Sequence, residues 1–219
     1  MKGLVKKLLT PLAVVGALSM SAPVSAQNNQ GEFTAQSSLS GGVGMYQFAE
    51  ERAKNIYGSS IPIFSVGFGR EISPNFAIEG SLSYLKAAGK PIILAGQPDR
   101  TGAEIQLTSL ELVGKYTFDG EGARVYIGGG VSYTSANESI GASYSGTAIS
   151  AEGTVSAVGP LIVLGVDIPL NDDETSVLYG ELSGRSIKIG TEIPGEVLPG
   201  AEKADIGGGA LKAGIRFRF

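Results

Sequence analysis

The chain predicts an all-β fold: an eight-stranded antiparallel transmembrane β-barrel with short periplasmic turns and four longer extracellular loops. Three observations carry that expectation. The C-terminal residues alternate strictly, with Leu211, Ala213, Ile215, Phe217 and Phe219 on one edge and Lys212, Gly214, Arg216 and Arg218 on the other. Period-two alternation marks a strand between two unlike environments, and a membrane barrel turns its apolar edge to lipid while keeping charge in its lumen. Seven further strand-like segments precede this one, joined by connections that alternate between long and short. Finally, 33 glycines occur without a collagen period or a low-complexity tract, which suits many turns and close strand contacts.

Residues 1–26 read as a signal peptide. Lys2, Lys6 and Lys7 precede an apolar stretch over residues 8–20, and small residues at Val24 and Ala26 suit cleavage before Gln27. The run contains Pro11 and falls short of the ~20 residues that a spanning helix needs. Residues 27–219 are then expected to form one barrel domain. Removing the leader takes away three lysines and no acid, so the formal charge moves from −4 to −7. An acidic chain without a basic block predicts no nucleic-acid partner. The absence of cysteine excludes disulfides and lipid attachment through a thiol.

The first strand, residues 33–46, sets Leu39, Gly41, Val43 and Met45 against Ser38, Ser40, Gly42, Gly44 and Tyr46. Its glycine cluster is not expected to cradle phosphate, which requires a helix to follow, and residues 47–60 read as a polar loop. The second strand, 61–70, points Phe64, Val66 and Phe68 outward, and Glu71 to Asn75 form a turn. In the third, Phe76, Ile78, Gly80, Leu82 and Tyr84 oppose Ala77, Glu79, Ser81 and Ser83. Residues 86–104 read as a second long loop that includes Ile92, Ile93 and Leu94. In the fourth strand, 105–118, Leu110, Leu112, Tyr116 and Phe118 oppose Glu111, Lys115 and Thr117, and the out-of-phase Ile105 and Leu107 predict a bulge or emergence from the bilayer. After a turn at 119–122, the fifth strand sets Val125, Ile127, Val131 and Tyr133 against Arg124, Tyr126, Ser132 and Thr134. A third long loop spans 135–153. The sixth strand carries Val158, Pro160, Ile162, Leu164, Val166 and Ile168 outside, with Leu161, Val163 and Asp167 inside. A turn at 169–174 leads to the seventh, where Leu178, Gly180 and Leu182 oppose Tyr179, Glu181, Ser183 and Arg185. The last long loop spans 188–205.

The ending Lys212-Ala213-Gly214-Ile215-Arg216-Phe217-Arg218-Phe219 resembles the C-terminal assembly signal of bacterial outer-membrane barrels, with Lys212, Gly214, Phe217 and Phe219 at its positions. Residues 75–85, 110–118 and 125–133 also look like strands of the small outer-membrane β-barrel superfamily, the OmpA, OmpX and OmpW kind. That resemblance implies a porin-like protein of the Gram-negative outer membrane. Its implied partners are outer-membrane lipid, lipopolysaccharide and the barrel-assembly machinery, and no peptidoglycan-binding domain is expected after the barrel. The rival architecture is a soluble lipocalin-like barrel, which would bury the apolar face around a ligand. The polar face instead holds Glu79, Glu111, Asp167 and Glu181 with Lys115, Arg124, Arg185, Lys212, Arg216 and Arg218, a set that suits a lumenal charge network.

Histidine is absent, so Ser-His and Cys-His nucleophile pairs and zinc sites built on these residues are excluded. No catalytic residue, metal or cofactor is expected. Glu79 and Glu111 read as partners of lumenal cations rather than as an acid and base. The first functional expectation is a non-enzymatic structural or surface-interaction protein, adhesion-like toward a host surface, with its lumen closed by polar and charged side chains. The second follows from the resemblance to the outer-membrane protein W group: a narrow channel for small hydrophobic molecules, along a path of Ile92, Ile93, Leu94, Leu161 and Val163.

Overall fold

Alternation closes the chain on itself. The computed structural model describes residues 34–89, 99–120, 122–144, 147–189 and 204–219. Its elements are β1 (Ser37–Phe48), α1 (Glu51–Tyr57), β2 (Ile61–Ser73), β3 (Phe76–Gly89), β4 (Asp99–Gly120), β5 (Ala123–Tyr144), β6 (Thr147–Pro169), β7 (Ser176–Arg185), β8 (Lys188–Ile189), β9 (Ala204–Asp205) and β10 (Gly208–Arg218). Eight strands form a closed barrel in the order β1-β10-β7-β6-β5-β4-β3-β2, with β8 and β9 paired beside it. Each neighbouring pair is antiparallel, and the first and last strands meet through Leu39 opposite Phe217 and Met45 opposite Leu211.

The predicted faces segregate. Leu39, Phe64, Val66, Val131, Ile162, Leu211 and Phe217 are each more than half exposed, whereas Lys212 and Arg216 on the other face of β10 are 5% and 6% exposed. An apolar exterior around a charged interior is the membrane-barrel arrangement and the reverse of a soluble one.

Four expectations need correction near the long-loop end. Residues 47–60 are not wholly loop, because α1 forms within them and sets Tyr57 into the interior beside Phe48, with ring centroids 6.0 Å apart. The glycines of β1 still lie inside a strand, so the helix gives them no phosphate-cradle geometry. Residues 86–104 include the end of β3 and the start of β4, paired as far as Gly89 with Ala103. Residues 135–153 continue β5 and β6 in unbroken register to Tyr144 opposite Thr147. Backbone groups that would otherwise need water satisfy one another along these extensions. Of the two readings of Ile105 and Leu107, the bulge falls and emergence from the bilayer stands: they pair regularly with Ala87 and Leu85, and both are buried. Register shifts occur instead at Glu71/Ser73 and at Asp99/Gly102.

The interior therefore has two storeys. Ile105 and Leu107 join Tyr46, Phe48, Tyr57, Ile61, Ile63, Leu85, Ile187 and Ile206 in an apolar core at the long-loop end, where Ala53 and Ile56 of α1 pack on it. Charges fill the storey below. The strands β4, β5 and β6, of 22, 22 and 23 residues, are about twice the 9–11 residues that a tilted strand needs to cross a bilayer. Outward-facing Lys86 and Glu104 pair at 2.9 Å on that extension and mark a level above the hydrocarbon, where their mutual hydrogen bond holds the Glu104 carboxyl below its ordinary range.

Candidate functional site

The lumen is threaded by one alternating string of ion pairs. From the top, Arg185 meets Glu111 at 3.0 Å, Glu111 meets Lys212 at 3.6 Å, and Lys212 meets Glu181 at 2.8 Å. Lys115 then bridges Glu181 and Glu79 at 2.9 and 3.0 Å. Arg216 links Glu79, at 3.1 Å, to Asp167, and Arg218 links Asp167, at 3.0 Å, to Glu174, at 3.4 Å. Arg124 ends the string on Glu174 at 2.7 Å. Opposite charges thus alternate from Arg185 to Arg124, and the string begins and ends on a cation.

The period of two explains how six strands, with one turn residue, supply this order. Inward positions recur at every second residue, so β10 contributes Lys212, Arg216 and Arg218, β4 contributes Glu111 and Lys115, and β7 contributes Glu181 and Arg185. Register then sets neighbours side by side, with Lys212 opposite Glu181 and Arg124 opposite Asp167. Hydroxyls complete the upper part: Ser81 and Ser83 donate to Glu111, Arg185 donates to Ser109 at 2.7 Å, and the Tyr126 hydroxyl donates to Glu181 at 3.0 Å. Aromatic faces take up the cations, since Lys115 lies 4.5 Å from the Tyr126 centroid, Arg185 4.7 Å from Tyr46, and Arg216 5.1 Å from Tyr179. Among the described residues, Asp167 Oδ1, Arg185 Nε and Arg216 Nε have no hydrogen-bond partner. A buried network satisfied to this degree holds geometry more than it adds net stability.

Predicted residues fall into place unevenly. Glu79 and Glu111 do not face one another as an acid and base, because Lys212, Glu181 and Lys115 stand between them in the string. Arg124 sits at the rim, with 29% of its side chain exposed, and pairs with Glu174, which is not among the four predicted acids. Glu174 lies in the turn after β6 at φ 53 and was invisible to a reading of strand faces. The tyrosines Tyr46, Tyr126 and Tyr179 were also not singled out, although each falls on an inward position. Leu161 and Val163 form a small buried cluster with Val113 and Tyr126. Ile92, Ile93 and Leu94 lie outside the described residues. No group of three or more metal-ligating residues occurs among the described residues. Lys212, Gly214 and Phe217 lie on β10, and Phe219 extends it, exchanging two backbone hydrogen bonds with Ser37 at 2.8 and 2.9 Å.

The model of the outer membrane protein beta-barrel domain family matches residues 10–219. The chain belongs to that family. Outer-membrane barrels place short turns in the periplasm and long connections outside the cell. The Arg124 end of the string therefore faces the periplasm, and α1 lies at the extracellular end, packed on the upper core. Among solved structures, OprG from Pseudomonas aeruginosa is similar at a TM-score of 0.56 and 16% identity, covering 88% of this chain and 99% of that one. Neisserial surface protein A is similar at 0.51 and 14%, covering 84% and 97%. Ail of Yersinia pestis, in complex with the heparin analogue sucrose octasulfate, is similar at 0.51 and 13%, covering 85% and 100%. At these identities the likeness establishes the shared eight-stranded outer-membrane barrel. No curated protein matches the chain at the level of sequence.

Proposed function

We propose that this outer-membrane barrel is a non-enzymatic protein with a structural or surface-interaction role, closed to solutes along its lumen. The observation that carries the reading is the ion-pair string from Arg185 to Arg124 beneath an apolar core that includes Tyr46, Phe48 and Tyr57. An eight-stranded barrel is just wide enough for side chains to fill, and here two kinds of filling succeed one another along the bore. Activity toward partners then falls to the extracellular side, where β4, β5 and β6 rise beyond the membrane. Residues 1–26 act as the export signal, and the terminal aromatic serves the assembly machinery.

The partner surface is not expected to match the sulfated ligand seen with Ail. Residues 47–60, 86–107, 135–157 and 186–207 carry seven Lys and Arg against ten Asp and Glu. A surface of that sign repels a polyanion and suits a neutral or basic one.

Single-channel recording of the refolded protein in a planar bilayer tests the closed lumen, once heat-modifiable gel mobility has shown that it is folded. A silent membrane is the expected result. Regular steps, especially ones blocked by a small hydrophobic solute, would reject closure and favour the narrow channel for hydrophobic molecules, with Leu161 and Val163 as its wall.

A further inference from the structure

We propose that the periplasmic end of the bore is a binding site for hydrogen phosphate, an anion that carries its own proton. A cavity with about 40 Å3 of free space opens there, between the start of β1 and the end of β2. Gln36 is exposed at its mouth. Lys115 and Tyr126 form its floor, where both bond to Glu181, the next acid up the string. One water needs roughly 10–15 Å3 of such space. The cavity therefore has room for a small ion and leaves the bore above it closed.

Two buried side chains select the occupant. Asp167 and Arg216 both line the cavity, 4% and 6% exposed, and each keeps one polar atom without a partner, Oδ1 of the carboxylate and Nε of the guanidinium. A carboxylate oxygen can only accept a hydrogen bond, and a guanidinium nitrogen can only donate one. The missing partner must offer a proton to the first and a lone pair to the second. Charge then separates a neutral occupant from an anion. Four cations and three carboxylates line the cavity, and the string that runs through it begins and ends on a cation. An excess of positive charge in a recess draws an anion. Hydrogen phosphate meets every demand: its P–OH donates to Asp167, its other oxygens accept from Arg216, and the Ser38 and Thr117 hydroxyls in the same wall add donors. Sulfate has the same shape but no proton at neutral pH, so it would set a lone pair against Asp167 Oδ1. The phosphodiesters of lipid headgroups lack that proton too.

Equilibrium dialysis of the protein folded in uncharged detergent micelles, which leave both ends open to solvent, tests the assignment with radiolabelled inorganic phosphate and with sulfate as competitor at neutral pH. Phosphate should bind, and sulfate should bind at least about tenfold more weakly, the factor that one hydrogen bond to a charged group supplies. Ala77→Leu changes a half-buried lining position that carries no charge. It fills the cavity and leaves the string intact, so phosphate binding should disappear while heat-modifiable mobility still shows a folded barrel. Asp167→Asn should erase the preference for phosphate, because an amide nitrogen donates where the carboxylate oxygen only accepted. No phosphate binding, which would leave the cavity to water alone, equal affinity for the two anions, or unchanged binding in Ala77→Leu would each overturn the proposal. If Asp167→Asn does not fold, the phosphate-to-sulfate ratio of the unaltered protein and the result for Ala77→Leu decide it.

Discussion

Lys115 is the most informative single position in the lumen. Its ammonium joins Glu79 at 3.0 Å to Glu181 at 2.9 Å, with 5% of the side chain exposed, and it lies against Tyr126. Lys115→Met keeps the length and most of the volume but removes the charge, leaving two buried carboxylates facing an apolar group. Breaking a buried pair in this way costs ~3–5 kcal/mol. Each acid here retains another cation, Arg216 for Glu79 and Lys212 for Glu181, which places the expected loss near the lower end, about 3 kcal/mol. That corresponds to a change of roughly two orders of magnitude in the folding equilibrium. Guanidinium titration in vesicles, followed by circular dichroism and by heat-modifiable mobility, reads it directly, and the chain has no tryptophan for a fluorescence assay. The double variant Lys115→Met/Glu181→Gln should recover part of the loss, because it removes one stranded charge with the cation. A single-variant loss below about 1 kcal/mol, the range of a solvent-exposed pair, would show that the lumen is wet enough to screen the string and would refute the closed-bore argument.

Other positions give sharper but narrower outcomes. Phe48→Ala, at a site 1% exposed, should cost about 3 kcal/mol through the cavity it leaves in the upper core, visible as a lower gel-shift temperature. Deleting Phe219 removes two backbone bonds to Ser37 as well as the terminal ring, and should reduce the protein in isolated outer membranes several-fold; unchanged levels would undermine its role in assembly. Vesicles containing the protein should take up a small hydrophobic solute no faster than empty ones. Faster uptake that Leu161→Asn abolishes would instead establish an apolar path through the wall.

The barrel and its lumenal charges were legible because, in the membrane-spanning storey, the two sides of each strand have opposite chemistry. Parity puts Lys212, Arg216, Glu181 and Glu111 on one face of their strands, and their mixed charge marks that face as the inside. The upper core was not legible for the corresponding reason. Where the interior is itself apolar, as at Ile61, Ile63, Leu85, Ile105 and Leu107, parity loses its contrast, and Ile105 and Leu107 look out of phase although their register is regular. Residues 135–153 are rich in serine, glycine and alanine and read as loop, yet hairpin pairing beyond the bilayer demands few strong strand formers once a neighbouring strand supplies the template. The seven-residue α1 is too short for a helical period, and its place is set by Tyr57, which hydrogen-bonds Glu138 on β5. Glu174 entered the string from a turn, where no strand pattern reaches.

The height of β5 sets a distance at which this cell can be touched. About ten of its 22 residues suffice for the hydrocarbon, and the remaining dozen, at ~3.3 Å each and tilted by ~40°, carry its tip roughly 30 Å beyond the hydrocarbon. Because β4 and β6 run alongside, this reach belongs to a braced sheet rather than to a tether. On the proposed surface-interaction role, a partner that meets this paired sheet pays little to immobilise it and meets it at that height.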